Sequence, residues 1–564
     1  MPFSSDNRFS RLIGAAVLTL TLTLTLTMVM PGAAWAQRGD GVQQVPLTRN
    51  QPGAGLGILD PGRDGGMSLN LWQSTDAALA SALVQSTPAD IHVPALRSLA
   101  RRALASTAIA PRGSDASFAL DRAEALLKLG YLDEAASLAR SARNNGAARA
   151  DRLRATALLL EGDEDGACVV LRETDRDNDP DGINADGFWD RLDLLCQLAD
   201  NNTGAANFLI NLLREAGDTD DAVLAAASAL AADSRIENPL DAVDPINQAV
   251  ALTILIKAGA SLPDSPTLLT RLAHLNQQDG ELKDVPGALD SLVLLARHGW
   301  LEADEFQGGL ASAGFRTADF EDPLGTADQG TPGEAALLLS ALASETLDAA
   351  KAQLLAAAWE RAKPIDGALV PAFIGGLATI QPGPGTEVIA PAAFFLLAAH
   401  GEADRAALWL RQAGQDPSAV IASFAQRLAQ PAGTPPSLPQ SDEFAPVQAV
   451  AAAALAGTGQ APTTQALAAA LATPAGDAND GDLAALTALL SAPEGDASLG
   501  QRSMAALLLA GNRSSTELSP LTLALLTDAL HRGGLVEEAR DMARQAVLNA
   551  AMAANLDGTG QNDE

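Results

Sequence analysis

The sequence predicts an all-α protein, arranged as an α–α superhelix, or solenoid, of helical hairpins. Alanine and leucine supply most of the 47% hydrophobic content, whereas aromatic residues make up only 4%, and alanine has the highest helix propensity. A phrase of glycine, four mostly polar residues and alanine occurs at Gly130, Gly162, Gly217, Gly401 and Gly534. The chain of 564 residues is long for one core and ordinary for stacked repeats.

Each copy of this phrase predicts a turn between two helices. Glycine tolerates the left-handed backbone conformation that ends a helix, and the acidic residues that follow favour the first turn of the next helix. Stacked hairpins of this kind usually present a binding surface to other proteins. The phrase therefore predicts an architecture and a binding role, and it indicates no reaction.

The N-terminus has the layout of a secretory signal. A basic start precedes an uncharged run from Leu12 to Met30, and small residues up to Ala36 predict cleavage before Gln37. Residues 1–36 are therefore predicted to be a signal peptide, and the mature chain to be periplasmic or secreted without a membrane span. The run is long enough to leave an alternative open, an uncleaved anchor in the inner membrane.

Composition and periodicity predict the remaining boundaries. Glycine and proline before Trp72 favour a flexible arm, and clustered prolines after residue 430 forbid a continuous helix. The predicted order is a flexible arm over 37–71, a solenoid over 72–430, a proline-rich linker over 431–445, a C-terminal helical region over 446–554 and a disordered tail over 555–564.

The first two helices and the last helical hairpin can be predicted in detail. Ser74 or Thr75 is expected to cap a helix through Val84, and a second helix is expected over 93–105. The last hairpin follows Gly534. The residues of its second helix expected to face inward are Leu535, Ala539, Met542, Ala543 and Ala546, and those expected to face outward are Arg540, Asp541, Arg544 and Gln545.

The hairpin around Gly130 resembles the tetratricopeptide repeat. Its spacing is matched by Ala119, Ala123, Leu126, Gly130, Tyr131, Asp133, Glu134, Ala135 and Ala142. Ala155, Gly162 and Ala167 match part of a second repeat. The resemblance implies closely packed helix pairs that form a groove for peptides or partner proteins. As a whole, the chain is similar to uncharacterised exported Ala/Leu-rich helical proteins of Gram-negative bacteria, a similarity that implies no activity.

The sequence contains only two cysteines, Cys168 and Cys196. In an oxidising compartment, such a pair predicts one disulfide. Two buried thiols on separate helices remain the alternative, because sequence does not give the distance between them. The pair lacks the CxxC spacing of a catalytic dithiol.

An aspartate-rich stretch is the candidate metal site. Asp175, Asp177, Asp179 and Asp181 alternate with other residues before a glycine, as at the start of a calcium-binding loop. The pattern is incomplete, because Phe188 occupies the position of the usual closing glutamate. Calcium binding and a solvated acidic loop between helices both remain open, and no other cofactor is expected.

Charge and missing motifs narrow the function. A formal net charge of −32 opposes binding to nucleic acid through a basic patch, and no HExxH, GxSxG, GxxxxGK or CxxC motif occurs. We expect a non-catalytic scaffold or adaptor that binds a protein partner, with partner identity and oligomeric state left open. The alternatives are a helical accessory of a cell-wall enzyme, similar to the superhelical part of lytic transglycosylases, and a purely structural envelope protein.

Overall fold

The computed structural model describes residues 55–554 with internal gaps. Outside the description are residues 1–54, 115–116, 146, 176–186, 218–220, 237–242, 279, 365–366, 414–419, 426–437, 439–443, 459–489, 491–497, 515–516 and 555–564. The predicted signal peptide with its cleavage site at Ala36 and Gln37, most of the predicted linker and the predicted tail therefore lie outside the described residues.

The described residues are mostly helical and include no β-strand, only isolated bridges, which confirms the all-α class for this part of the chain. The helices are α1 (Ala77–Gln85), α2 (Pro94–Ala105), α3 (Ser117–Lys128), α4 (Leu132–Ala142), α5 (Ala147–Glu161), α6 (Glu164–Glu173), α7 (Phe188–Ala199), α8 (Thr203–Glu215), α9 (Asp221–Ala231), α10 (Ala249–Lys257), α11 (Leu268–Asn276), α12 (Ala288–Arg297), α13 (Ala303–Ala311), α14 (Pro323–Thr326), α15 (Glu334–Leu342), α16 (Asp348–Ala362), α17 (Leu369–Ala378), α18 (Ala390–Ala399), α19 (Ala403–Ala413), α20 (Ala445–Gly457), α21 (Leu499–Ala510), α22 (Pro520–Arg532) and α23 (Val536–Ala553). Short 3-10 turns cover Arg143–Asn145, Leu282–Asp284, Thr317–Phe320 and Glu387–Ile389. None of these helices combines the length and the apolar character needed to cross a bilayer.

The glycines of the recurring phrase occupy helix turns, as predicted. Gly130, Gly162, Gly401 and Gly534 separate α3 from α4, α5 from α6, α18 from α19 and α22 from α23, and Gly217 lies between α8 and α9. Their φ angles lie between 73° and 88°. Residues with a Cβ atom are strained in this left-handed region, so glycine is the residue that suits these turns.

The first helix starts later than the sequence predicts. α1 begins at Ala77 and is capped by Asp76, whose Oδ1 accepts a backbone hydrogen bond at 3.0 Å, rather than by Ser74 or Thr75. Thr75 is fully buried, and its Oγ1 lies 2.6 Å from Oγ of Ser498. A tertiary hydrogen bond to the C-terminal region therefore occupies the hydroxyl that was expected to cap the helix.

Residues 55–71 of the predicted arm pack against the end of α2 instead of forming a loose segment. The N–H of Ile58 donates to the carbonyl of Ala105 at 2.8 Å. The buried guanidinium of Arg122 in α3 donates to the carbonyl of Leu56 at 3.0 Å. Hydrogen bonds to backbone carbonyls thus fix this glycine-rich stretch on α2 and α3, although its sequence has no helical periodicity.

The buried apolar residues form two clusters that meet at α12, α20 and α23. The first cluster contains residues of α1 to α11 and of α21 to α23 together with Leu295 of α12 and Ala453 of α20, and the second contains residues of helices from α12 to α20 and of α23. Different faces of α23 enter the two clusters. Ala539, Met542 and Ala546 belong to the first, and Ala543, Val547 and Leu548 belong to the second.

α23 is buried on more sides than the sequence predicts. The residues expected to face inward are buried, namely Leu535, Ala539, Met542, Ala543 and Ala546. Gln545, which was expected to face outward, is only 4% exposed, and its Oε1 accepts a hydrogen bond from the N–H of Ala95 at 3.5 Å. The prediction for Gln545 is wrong because α2 covers a face that an isolated hairpin would leave in water.

Helices from the beginning and from the end of the described residues pack on α2. It packs on α3, α21 and α23. Arg102 of α2 forms an ion pair with Glu538 of α23, and the N–H of Gly500 in α21 donates to the carbonyl of Leu71 at 3.0 Å. The C-terminal helical region therefore packs directly on the N-terminal helices.

Replacing Gly130 by alanine should destabilise the protein more than the same change at Gly534. Both positions have positive φ, which costs a non-glycine residue about 1–2 kcal/mol. An added Cβ at Gly130 would also collide with the ring of Trp300, whereas at Gly534 it meets no atom within 4 Å. Overpacking should add about 1–3 kcal/mol at Gly130 alone.

Urea unfolding of Gly130→Ala and Gly534→Ala, followed by circular dichroism, measures this difference. Equal midpoints for the two variants would show that the contact between Gly130 and Trp300 does not constrain the turn.

Candidate functional site

The structure pairs the two cysteines that the sequence predicts as a disulfide. Cys168 of α6 and Cys196 of α7 are bonded through their sulfur atoms, with their Cα atoms 5.8 Å apart. Both residues are buried, at 6% and 5% exposure. Since α7 forms a hairpin with α8, the bond ties this hairpin to the end of the preceding one.

The aspartates of the calcium hypothesis fall mainly outside the description. Asp175 is described and exposed just after α6, whereas Asp177, Asp179 and Asp181 lie outside the described residues. Phe188, at the position of the missing glutamate, is buried at the start of α7. The described part of the chain contains no group of three or more potential metal-ligating side chains. Calcium binding stays a prediction.

The turn that resembles a tetratricopeptide repeat is covered by another part of the chain. Tyr131 and Trp300 lie on either side of Arg97, whose Cζ is 4.3 Å and 3.9 Å from the two ring centroids. Nε of Arg97 donates to the carbonyl of Gly299 at 2.9 Å. Arg97 is 2% exposed, and burial lowers its pKa. The cluster is closed to a partner and serves to join α2, the turn after α3 and the loop after α12.

Two histidines that are distant in sequence meet in the structure. The rings of His92 and His298 have centroids 4.9 Å apart. Burial lowers the pKa of His298 to about 4; the charges of the adjacent His92 and Arg297 act in the same direction, and a backbone hydrogen bond with His92 acts in the opposite one. Burial also lowers the pKa of His274 to about 4, with a smaller effect from Arg271. The folded protein therefore holds His274 and His298 in their neutral forms at pH 7.

α8 exposes an apolar face. Phe208 and Leu212 are 67% and 48% exposed, and their spacing of four residues places them on one side of the helix. Ile210 and Leu213 lie on the packed side of α8 and are buried, at 3% and 5% exposure. α8 packs on α7 and α9. Neighbouring apolar side chains that form a contiguous exposed patch are candidates for a protein interaction site, whereas isolated ones are normal on protein surfaces.

A cleft of about 640 Å³ opens between the segment that precedes α12 and the start of α15. This volume falls within the range of small-molecule sites. The apolar part of its lining includes Leu289, Phe315 and Leu337. The charged side chains that line it are Lys283, Asp284, Asp290, Arg316, Asp319 and Glu334.

Neither surface is among the sites that the sequence predicts. The cleft combines segments near residues 285, 316 and 334 that no local pattern connects. α8 did carry a signal, because apolar residues at 208–210 and 212–213 cover more of the helix than one buried face requires. That excess indicates an exposed apolar residue without showing which one it is.

Comparison with known proteins gives no match. No family model matches the chain, and no curated protein or solved structure is significantly similar to it. What the protein binds must therefore be inferred from its own residues.

Removing the disulfide should lower the free energy of unfolding by about 3–4 kcal/mol, because the bond closes a loop of 28 residues and restricts the unfolded chain. Thermal unfolding of the wild type and of the Cys168→Ala/Cys196→Ala double variant measures the effect. Dithiothreitol should destabilise the wild type and leave the double variant unchanged. A wild type with the same midpoint under reducing and oxidising conditions would contradict this expectation.

Stability should fall as the pH decreases from about 6.5 to 4. The pKa of His274 changes from 6.5 to about 4 on folding, so protons bind the unfolded state preferentially in this range. The stabilisation that depends on neutral His274 is complete above pH 6.5, and its loss amounts to about 3 kcal/mol at most. His274→Gln should flatten the profile of urea midpoint against pH. Parallel profiles for wild type and variant would refute the role of His274.

Proposed function

We propose that this chain is a helical scaffold that binds a partner protein through the exposed apolar face of α8. The observation that carries the proposal is the exposure of Phe208 and Leu212 on a helix whose opposite side is packed. Full burial of an aromatic or aliphatic side chain of this size stabilises a complex by about 1.5–3 kcal/mol. Two such residues side by side supply the centre of a protein interface.

The elements around α8 support a preformed binding surface. α8 lies between α7 and α9, and α7 is tied to α6 by the disulfide of Cys168 and Cys196. Asn202 caps α8, since its Oδ1 accepts a hydrogen bond from the N–H of Ala205 at 3.4 Å. A helix that is already ordered loses little conformational entropy on binding, which favours affinity.

The charge of the chain favours a basic partner. The sequence carries 69 acidic residues against 37 lysines and arginines. A field of this sign accelerates the approach of positively charged proteins and disfavours acidic ones. The partner proposed here therefore presents an apolar patch for Phe208 and Leu212 within a basic surface.

The finer architecture and the compartment belong to the same proposal. The succession of packed helices from α3 to α9 supports a solenoid with tetratricopeptide-like hairpins at its start. The predicted signal peptide and the disulfide support an oxidising compartment, which we propose to be the bacterial periplasm. The role is that of an adaptor without catalysis of its own.

Phe208→Ser should reduce partner capture at least tenfold, while Leu347→Ser preserves it. Leu347 is 68% exposed, similar to Phe208 at 67%, and it precedes α16 rather than lying on α8. The mature protein is immobilised, envelope extract is passed over it, and bound proteins are identified by mass spectrometry. We expect a protein retained by wild type and Leu347→Ser and reduced at least tenfold on Phe208→Ser, since losing about 1.4 kcal/mol weakens binding tenfold.

Circular dichroism of each variant verifies that the helices remain folded. A partner retained equally by all three proteins would place the interface elsewhere. Repeated absence of any specific partner would count against the scaffold role itself.

A further inference from the structure

We propose that the cleft between the segment before α12 and the start of α15 binds an organic ammonium ion that carries an apolar group. The site is distinct from the α8 face, and its ligand is recognised whether or not a protein partner binds there. The proposal rests on the mixture of side chains in the cleft and on which of their charges are already neutralised.

One part of the lining is apolar. Leu337 is 6% exposed and Leu289 is half-buried, and both line the cleft with Phe315. The ring of Phe315 lies against that of Phe320, with centroids 6.2 Å apart. These side chains give an apolar surface of the size of a phenyl ring or a short alkyl chain. Removing this surface from water lowers the free energy and so favours binding.

The cationic side chains of the cleft are already paired. Nζ of Lys283 lies 3.0 Å from Oδ2 of Asp319, and a guanidinium nitrogen of Arg316 lies 3.3 Å from Oε2 of Glu281. The N–H of Arg316 also donates to Asp319 at 2.6 Å, and this bond and Lys283 lower the pKa of Asp319. An anionic ligand would have to compete with these carboxylates, which disfavours acids and phosphates.

Glu334 is a satisfied carboxylate. Its Oε2 accepts from Nε of Arg361 at 2.7 Å and from the N–H of Gly330 at 2.9 Å, and its Oε1 accepts from the N–H of Gln329 at 2.7 Å. Burial opposes ionisation of Glu334, yet these hydrogen bonds lower its pKa. Glu334 therefore shapes the wall of the cleft. Arg361 balances its charge, and both of its oxygens already accept hydrogen bonds from the protein.

Asp290 and Asp284 are the two charged side chains of the cleft that form no ion pair within the described residues. Oδ1 of Asp290 accepts from the N–H of Gly333 at 2.6 Å, and no cationic side chain within the described residues forms an ion pair with Asp290 or Asp284. Arg271 is near enough to be influenced electrostatically by Asp290, but its guanidinium donates a hydrogen bond to Oγ of Ser291 at 3.5 Å. A carboxylate offers several acceptor positions, so Asp290 can still receive an N–H from a ligand.

These features together select an ammonium ion with an apolar substituent. The ammonium group would donate to Asp290 near the start of α12, while its substituent covers Leu289 and Leu337. The same chemistry can come from a free amine or from a lysine side chain in an apolar peptide. The two sources differ in size and are distinguished by the probes below.

Calorimetric titration of the mature protein tests the proposal with three probes: 2-phenylethylammonium, the neutral analogue 2-phenylethanol, and a blocked tripeptide of lysine between two leucines. We expect saturable 1:1 binding of at least one ammonium probe and none of the alcohol. Binding of the amine alone identifies a free amine as the source, and stronger binding of the tripeptide identifies a peptide.

Asp290→Asn should weaken this binding about tenfold, because it removes a charged hydrogen-bond acceptor while its amide oxygen can still accept from Gly333. Asp304→Asn is the matched control, since Asp304 also lies in the first turn of a helix, α13, but outside the cleft. Asp284→Asn is a second test at an exposed position, and it should weaken binding less than Asp290→Asn.

Three outcomes would overturn the proposal. They are equal binding of the amine and the alcohol, equal loss in Asp290→Asn and Asp304→Asn, and no heat from either ammonium probe at millimolar concentration. None of them bears on the α8 interface, because that interface is tested by Phe208→Ser and partner capture.

Discussion

The stacking of Arg97 between Tyr131 and Trp300 joins three segments that are distant in sequence. A guanidinium suits this position because its planar face attracts both aromatic rings while its edge donates to a backbone carbonyl, here that of Gly299. A lysine could not fill the space between two rings in this way. The arrangement fixes α2, and α2 in turn supports helices from both ends of the chain.

The two buried clusters depend on the same geometry. α2 covers a face of α23, and α23 contributes side chains to both clusters. A displacement of α2 would therefore reach the second cluster through α23, even though most of that cluster lies in helices between α12 and α20. These long-range contacts add to the nearest-neighbour contacts between successive helices from α3 to α9.

Local features of the fold could be predicted from the sequence, and tertiary ones could not. The left-handed turns at Gly130 and Gly534 follow from the conformational freedom of glycine, which acts over a few residues. Burial of Gln545 and the loss of Thr75 as a cap depend on partners more than 400 positions away. The cleft follows the same rule, since Asp290 and Glu334 face one space only after α12 and α15 have packed.

The contact of α2 with α21 and α23 has a consequence for the order in which the protein is made. α2 is synthesised before α21 and α23, which pack on it. Until α23 has been synthesised, the side of α2 that meets α23 has no native partner and exposes apolar surface. Such nascent chains are prone to aggregation, so a chaperone that shields α2 would increase the yield of folded protein.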